Sequence, residues 1–235
     1  MRQLNLSVAV LDPLLGADAS NPRFTYYDDA TGERIELSTV TFANWAAKTG
    51  NLLRDELGAG PGSRVALLLP AHWQTAAVVF GVWWIGAEIV VGDAAGADVA
   101  LCTADRLDEA TSDEVVVLSL DPFGKPAPDL PPGVTDYATS VRAQADQITP
   151  ERQPGPALGG RTADEVHRAA VDSAAAQDIS AGDRVLSTAE WSSDVALVDG
   201  LVAIYAVGAS LVQVAHPDPS AMGRRSETEK VTRVL

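Results

Sequence analysis

Cysteine is nearly missing from this sequence. Cys102 stands alone among 235 residues, which excludes an internal disulfide and gives secretion no support. It lies in the apolar run Asp98-Val-Ala-Leu-Cys-Thr103, where a thiol serves as a small buried hydrophobe. Positive charge is scarce as well. Seventeen Lys and Arg face 32 Asp and Glu, for a net charge of −15, and Lys48, Lys125 and Lys230 are the three lysines. An acidic surface of this kind repels phosphate backbones and anionic lipid, so neither nucleic acid nor membrane is expected as a partner.

Long uncharged runs are lacking too. Residues 76–87 are too few to span a bilayer, and residues 195–215 are interrupted by Asp199 and Gln213. Both read as buried core. A mildly apolar stretch follows Arg2, but Asp12 and Pro13 break it, so no signal peptide is expected and the location is cytoplasmic. His72, His167 and His216 lie far apart, and none has a second ligand at zinc spacing, so no metal site is expected. No Gly-x-Ser-x-Gly elbow occurs to start a hydrolase triad. The acidic run Asp105, Asp108, Glu109, Asp113 and Glu114 reads as a solvated helix and loop.

What is present is the composition of a folded protein, 46% hydrophobic and 21% charged. Residues 32–37 alternate charged and apolar side chains behind the turn residues of 28–32, which predicts a hairpin over 24–37. Thr41 is placed to cap a helix to Leu57, with Phe42, Trp45, Ala46, Thr49, Leu52 and Leu53 at helical spacing. A continuous apolar strand, residues 64–69, follows the turn Gly58-Ala-Gly-Pro-Gly62 and ends at Pro70. A helix from His72 to Ile85 comes next, then strands near 88–91, 98–103 and 114–120. Residues 121–133 carry five prolines and read as a linker or surface loop, and residues 134–148 as a helix.

The last part opens with the capping box Thr162-Ala-Asp-Glu165, predicting a helix to Gln177. A strand at 184–187, a helix at 194–207 and a strand at 210–215 follow. From Pro217 the chain is polar and is expected to be mobile. Strand and helix alternate throughout, the pattern of an α/β fold with a largely parallel, doubly wound sheet in two subdomains.

The pieces Thr41-Phe-Ala-Asn-Trp45, Gly60-Pro-Gly-Ser-Arg-Val65, Leu68-Leu-Pro70 and Gly86-Ala87 stand in one order. Later come Ala181-Gly-Asp-Arg-Val-Leu-Ser187, Asp199-Gly-Leu201 and Gly208-Ala-Ser-Leu-Val212. Together they resemble the N-terminal part of the AMP-binding, acyl-CoA synthetase-like enzymes, and a group of short bacterial proteins related to them. The resemblance implies a first subdomain at residues 1–133, a second, partial one at 134–216 and a polar tail at 217–235.

It also implies ATP or AMP and Mg²⁺ as cofactors, and a loop rich in Ser, Thr and Gly ending in Pro-Lys-Gly around the phosphates. At that place this chain has Gly155-Pro-Ala-Leu-Gly-Gly-Arg-Thr162, without lysine and without a Ser/Thr cluster. Leu197 stands where a histidine often precedes the family's Gly-Leu pair. No catalytic residue can therefore be named. Two weaker sites are expected. Gly159, Gly160, Arg161 and Thr162 open a helix and could hold an anion. Trp191, between a strand and a helix, should stand nearest the cleft of a doubly wound sheet.

Three roles follow from the resemblance. The first is a non-catalytic scaffold that binds a small ligand or a protein partner. The second is one part of a split acyl-activating enzyme completed by another chain, through an open sheet edge at residues 211–215. The third is a structural homo-oligomer.

Overall fold

In the computed structural model, which describes residues 3–235, the side chain of Asn5 accepts from Val8 N at 3.3 Å and caps α1 (Leu6–Asp18). The same side chain donates to the carbonyl of Trp84 at 3.0 Å, which docks α1 on the rest of the protein. Pro13 lies inside α1. The expected hairpin follows as β1 (Pro22–Asp28) and β2 (Glu33–Ser38), paired antiparallel.

α2 (Thr39–Asn51) is capped three residues before the expected position, because Ser38 is the extended residue whose hydroxyl accepts from Thr41 N. A π-helical turn, Leu52–Glu56, finishes it. Next come β3 (Arg64–Leu68), α3 (Trp73–Trp84), β4 (Glu88–Val91), β5 (Val99–Cys102) and β6 (Glu114–Val117). Residues 134–148, read as one helix, divide instead into β7 (Val134–Asp136), α4 (Tyr137–Ser140), a 3₁₀ turn and loop. β7 forms because Val134, Thr135 and Asp136 pair with β6, a long-range contact that overrides local preference.

α5 (Ala163–Ala176) carries the full capping box between Thr162 and Glu165. It leads to β8 (Arg184–Ser187) and α6 (Asp194–Leu197), which runs through a π-helical segment, Val198–Val202, into α7 (Ala203–Ala206). β9 (Ser210–Ala215), α8 (Pro219–Thr228) and β10 (Arg233–Val234) complete the order.

The strands form two five-stranded sheets. One runs β10-β8-β9-β1-β2 and is parallel except for β2; the other runs β4-β3-β5-β6-β7 and is wholly parallel. The expected α/β class with a largely parallel arrangement is therefore observed. Its sheets do not follow the expected division at residue 133. The first takes strands from both chain ends, and β7 closes the second.

Helices fill the space between the sheets. Val65, Leu67, Val99 and Leu101 of one sheet and Phe24, Val185 and Leu211 of the other belong to one core with α1, α2, α3 and α5. α2 and α3 pack so closely that a Cβ on Gly81 would stand 2.8 Å from the carbonyl oxygen of Ala46. The alternate residues, Ala66, Leu68, Ala100 and Cys102, form a separate cluster on the outer face of the second sheet. Cys102 is fully buried, as its apolar run predicts.

Two expectations fail on the first sheet. The segment from Pro217 is not a mobile tail: Met222 and Val231 cover Leu186, Val212 and Val214 on the outer face, and β10 pairs with β8. Burial of that apolar face explains the ordering of an otherwise polar stretch. Nor is β9 an open edge at 211–215. It lies between β8 and β1, with partners on both sides, so the edge that motivated a completing chain is not there.

Candidate functional site

Parallel strands in one layer end on the same side, and a doubly wound fold leaves its ligand crevice beyond those carboxyl ends. Here the residues following β3, β6 and β9, with the β1–β2 turn, line a cleft of about 810 Å³. A second cavity of about 540 Å³ adjoins it across Pro70, Glu190 and His216, and reaches Val91, Gly92, Thr103 and Trp191. Both layers thus contribute to one continuous opening.

His72 stands on the wall of the larger cleft as the N-cap of α3. Its Nδ1 accepts from Gln74 N at 3.1 Å, which places the ring proton on Nε2. Nε2 lies 3.8 Å from Oε1 of Glu33, beyond hydrogen-bond range. The two side chains are only 2% and 7% exposed, and among the described residues neither of these atoms has a partner. Burial drives the His72 ring below its ordinary value, against the opposing pull of Glu33 and Asp28, so the imidazole is neutral at pH 7.

Aromatic and acidic groups complete the wall. The ring of Tyr26 meets His72 edge-on at 4.4 Å between centroids. Burial, followed by the charges of Asp28, Glu33 and Glu190, raises the Tyr26 phenol above its usual range and keeps the hydroxyl protonated. Asp28 would be raised by burial alone, but the hydrogen bonds from His216 and Ala30 N outweigh that and hold it below the ordinary carboxylate value. His216 Nδ1 is 2.8 Å from the Asp28 carboxylate, where the chain turns at positive φ after β9. Arg34, also on the cleft, is drawn off to Glu229 and Glu36 at 2.9 and 2.8 Å. What faces the opening is an acidic, partly apolar wall, with the Glu33–His72 pair buried within it.

Trp191 lines the smaller cavity, yet it is 1% exposed and packs edge-on against Phe24 at 6.3 Å. A Cβ on Gly200 would come within 2.8 Å of its indole nitrogen, so the helix backbone sits directly against the ring. Trp191 is thus a core residue that touches the cleft from beneath.

The turn at residues 159–162 stands elsewhere. Gly160 faces Glu88, the first residue of β4, whereas the cleft begins at Val91 and Gly92 beyond its other end. All four backbone N–H groups of the turn are already donated. Gly159 N gives to Ile89 O at 3.5 Å and Arg161 N to Leu158 O at 3.0 Å. Gly160 N gives to the Glu88 carboxylate at 2.6 Å, and Thr162 N to the Glu165 carboxylate at 2.9 Å. A side chain at Gly159 would also collide with the Asp194 carboxylate.

Amides capped by carboxylates cannot also hold phosphate oxygens, and the added negative charge repels them. In this structure the amides of Gly159, Gly160, Arg161 and Thr162 are all donated within the chain, and the carboxylates of Glu88, Glu165 and Asp194 oppose the phosphates of ATP there. Among the described residues no group of three or more His, Cys, Asp or Glu is placed to hold a metal ion. Among them also, no helix is long and apolar enough to cross a membrane.

No local pattern signals the Glu33–His72 pair. Glu33 read as an exposed position of a hairpin and His72 as a helix opener. Their meeting depends on β1–β2 joining one sheet while α3 follows a strand of the other.

Comparison with known proteins places the chain. A TIGR03089 family protein of Mycobacterium tuberculosis (strain ATCC 25618 / H37Rv) is 67% identical over 238 residues, which cover 98% of each chain. No family model matches. Among solved structures, an acyl-CoA synthetase of Brucella canis superposes with a TM-score of 0.81 at 18% identity, over 99% of this chain and 47% of that one. The acetoacetyl-CoA synthetase of Streptomyces lividans gives 0.77 at 18% identity, over 99% and 42%. An anthranilate CoA ligase in complex with anthranoyl-AMP gives 0.70 at 16% identity, over 97% and 48%. The chain spans about half the length of these structures, and at such identity the likeness is one of fold.

Proposed function

The chain belongs to the TIGR03089 family, and from that premise we propose that it is a non-catalytic relative of acyl-activating enzymes that binds a small ligand in the cleft at His72. The observation that carries this reading is the contrast between two places. At the turn where the fold's ligases would grip phosphate, every backbone donor is taken, two of them by carboxylates. At the strand ends, an acidic, partly apolar cleft around Glu33 and His72 stands open.

Both residues line an opening whose wall is acidic and partly apolar, which supports a ligand bound there. The cleft volume of about 810 Å³ suits a small molecule.

The test has two arms. Isothermal titration with ATP, AMP and acetyl-CoA, alongside ATP–pyrophosphate exchange, should give neither binding nor exchange by the purified chain. Robust exchange would overturn the non-catalytic reading. A fragment collection titrated into the ¹⁵N-labelled chain should move the amides of Thr31, Glu33, His72 and Leu120. Hits that cluster away from these residues would overturn the cleft.

A further inference from the structure

Beside the cleft, past Pro122 and Phe123, which line both, lies a smaller pocket of about 150 Å³. Its wall is aromatic. Trp45 of α2 and Trp73 of α3 meet there edge to face, with 5.4 Å between centroids and 67° between planes. Tyr137, which opens α4, adds a third ring, and its hydroxyl is spent on Thr49 at 2.7 Å. Phe123 is the fourth ring and is 80% exposed, the most exposed large apolar residue among those described.

The backbone beneath Phe123 is fixed. Its N–H donates to the Asp121 carboxylate at 2.8 Å, and Arg142 donates to the carbonyls of Phe123 and Gly124 at 3.0 and 2.6 Å. A phenyl ring is thus held out on a pinned turn at the mouth of an aromatic pocket.

Size and lining together select the occupant. An apolar cavity of about 150 Å³ has room for one benzene ring. Aromatic rings gain from offset and edge-on packing, which favours a planar aromatic occupant over an aliphatic one of the same size. A quaternary ammonium also suits a cage of rings, but the guanidinium of Arg142 on the same wall opposes a cation. We propose that this pocket binds a single aromatic ring, with Phe123 packing over it as the outer wall. The site goes beyond the cleft at His72 and does not depend on it.

The experiment titrates the ¹⁵N-labelled chain with benzyl alcohol, with cyclohexylmethanol as its aliphatic counterpart, and with tetramethylammonium. Benzyl alcohol should give saturable shifts at the amides of Phe123 and Ala138 and at the indole N–H groups of Trp45 and Trp73. The other two probes should bind about fivefold more weakly or worse.

Phe123→Ala removes an exposed side chain, so the rest of the spectrum should stay as it is while benzyl alcohol binds about fivefold more weakly. Ala138→Leu, which places extra methyl groups on the wall of the pocket, should abolish binding, and its spectrum reports whether the fold is intact. The assignment is overturned if cyclohexylmethanol or tetramethylammonium binds as tightly as benzyl alcohol, or if Phe123→Ala leaves the affinity unchanged. It is also overturned if benzyl alcohol moves none of these signals. The amides of Thr31 and Glu33 report the cleft, so failure of the pocket and failure of the cleft are read apart.

Discussion

The carboxylate of Glu229 lies 2.5 Å from the guanidinium of Arg184, and this contact joins the end of the chain to the middle of the first sheet. The Glu229 side chain is 4% exposed and also takes the Tyr27 hydroxyl at 2.5 Å and Arg34 at 2.9 Å. Nearby, Arg225 pairs with Asp29 and lies over the Tyr27 ring at 4.3 Å. α8 and β10 are held to the hairpin and to β8 by these charges as well as by Met222 and Val231.

Glu229→Gln should therefore loosen the C-terminal segment before anything else. Removing one member of a buried charge network leaves Arg184 short of its partner, which is among the costlier single changes. Hydrogen exchange should show protection falling in residues 219–235 while α3 and β3 stay protected. Uniform loss across the chain would contradict a local role.

The same carboxylate makes this anchor sensitive to acid. Burial alone would raise the Glu229 carboxyl, but hydrogen bonds from Tyr27, Arg184 and Arg34 outweigh it and bring the group down to about 2. A carboxyl depressed in the fold contributes stability that is fully present above its unfolded value of about 4.5 and is lost as pH falls toward 2. Hydrogen exchange of residues 219–235 should thus lose protection across that window in the wild type. Glu229→Gln should reduce that dependence, leaving the part set by Asp29, whose carboxyl the hydrogen bond from Arg225 also holds below its ordinary value.

Gly200→Ala tests the packing beneath the cleft. Helix preference favours alanine by about 1 kcal/mol, whereas its Cβ would stand 2.8 Å from the indole nitrogen of Trp191 and 3.0 Å from Cδ1. Overpacking of this kind costs about 1–3 kcal/mol, so the collision wins and the melting temperature should fall. An unchanged or higher melting temperature would show that Trp191 has room to move.

Cys102 should be inert while the protein is folded. Burial pushes its thiol up to about 11, and it is fully buried against Ala66 and Leu68. A thiol-specific disulfide reagent at pH 8 should leave it unmodified in buffer and label it fully in denaturant. Rapid labelling of the native protein would contradict the burial.

Local signals accounted for much of this fold. The capping box at Thr162, the alternating hairpin ending at Leu37 and the apolar strand before Pro70 each act through neighbours in the chain, so their residues could be read directly. α1 escaped notice because Pro13 argues against a helix, and what secures it is Asn5 reaching Trp84. The polar helix α8 was missed for a similar reason. Its order comes from Asp29, Tyr27 and Arg184, all distant in sequence.

β9 read as an exposed edge because pairing with β1 cannot be inferred from a window of residues. At residues 155–162 the absence of a lysine and of a Ser/Thr cluster was legible in the sequence. The capture of Gly160 by Glu88 was not, since only the fold brings them together.

The most direct test of the account sets nucleotide against other small molecules in one experiment, the ¹⁵N-labelled chain titrated in parallel with Mg-ATP and with the fragment collection. The account predicts saturable shifts around Glu33 and His72 with at least one fragment, and no saturable shifts at residues 155–162 with Mg-ATP. Saturable binding of Mg-ATP at Gly159, Gly160, Arg161 and Thr162, with a silent cleft, would contradict it.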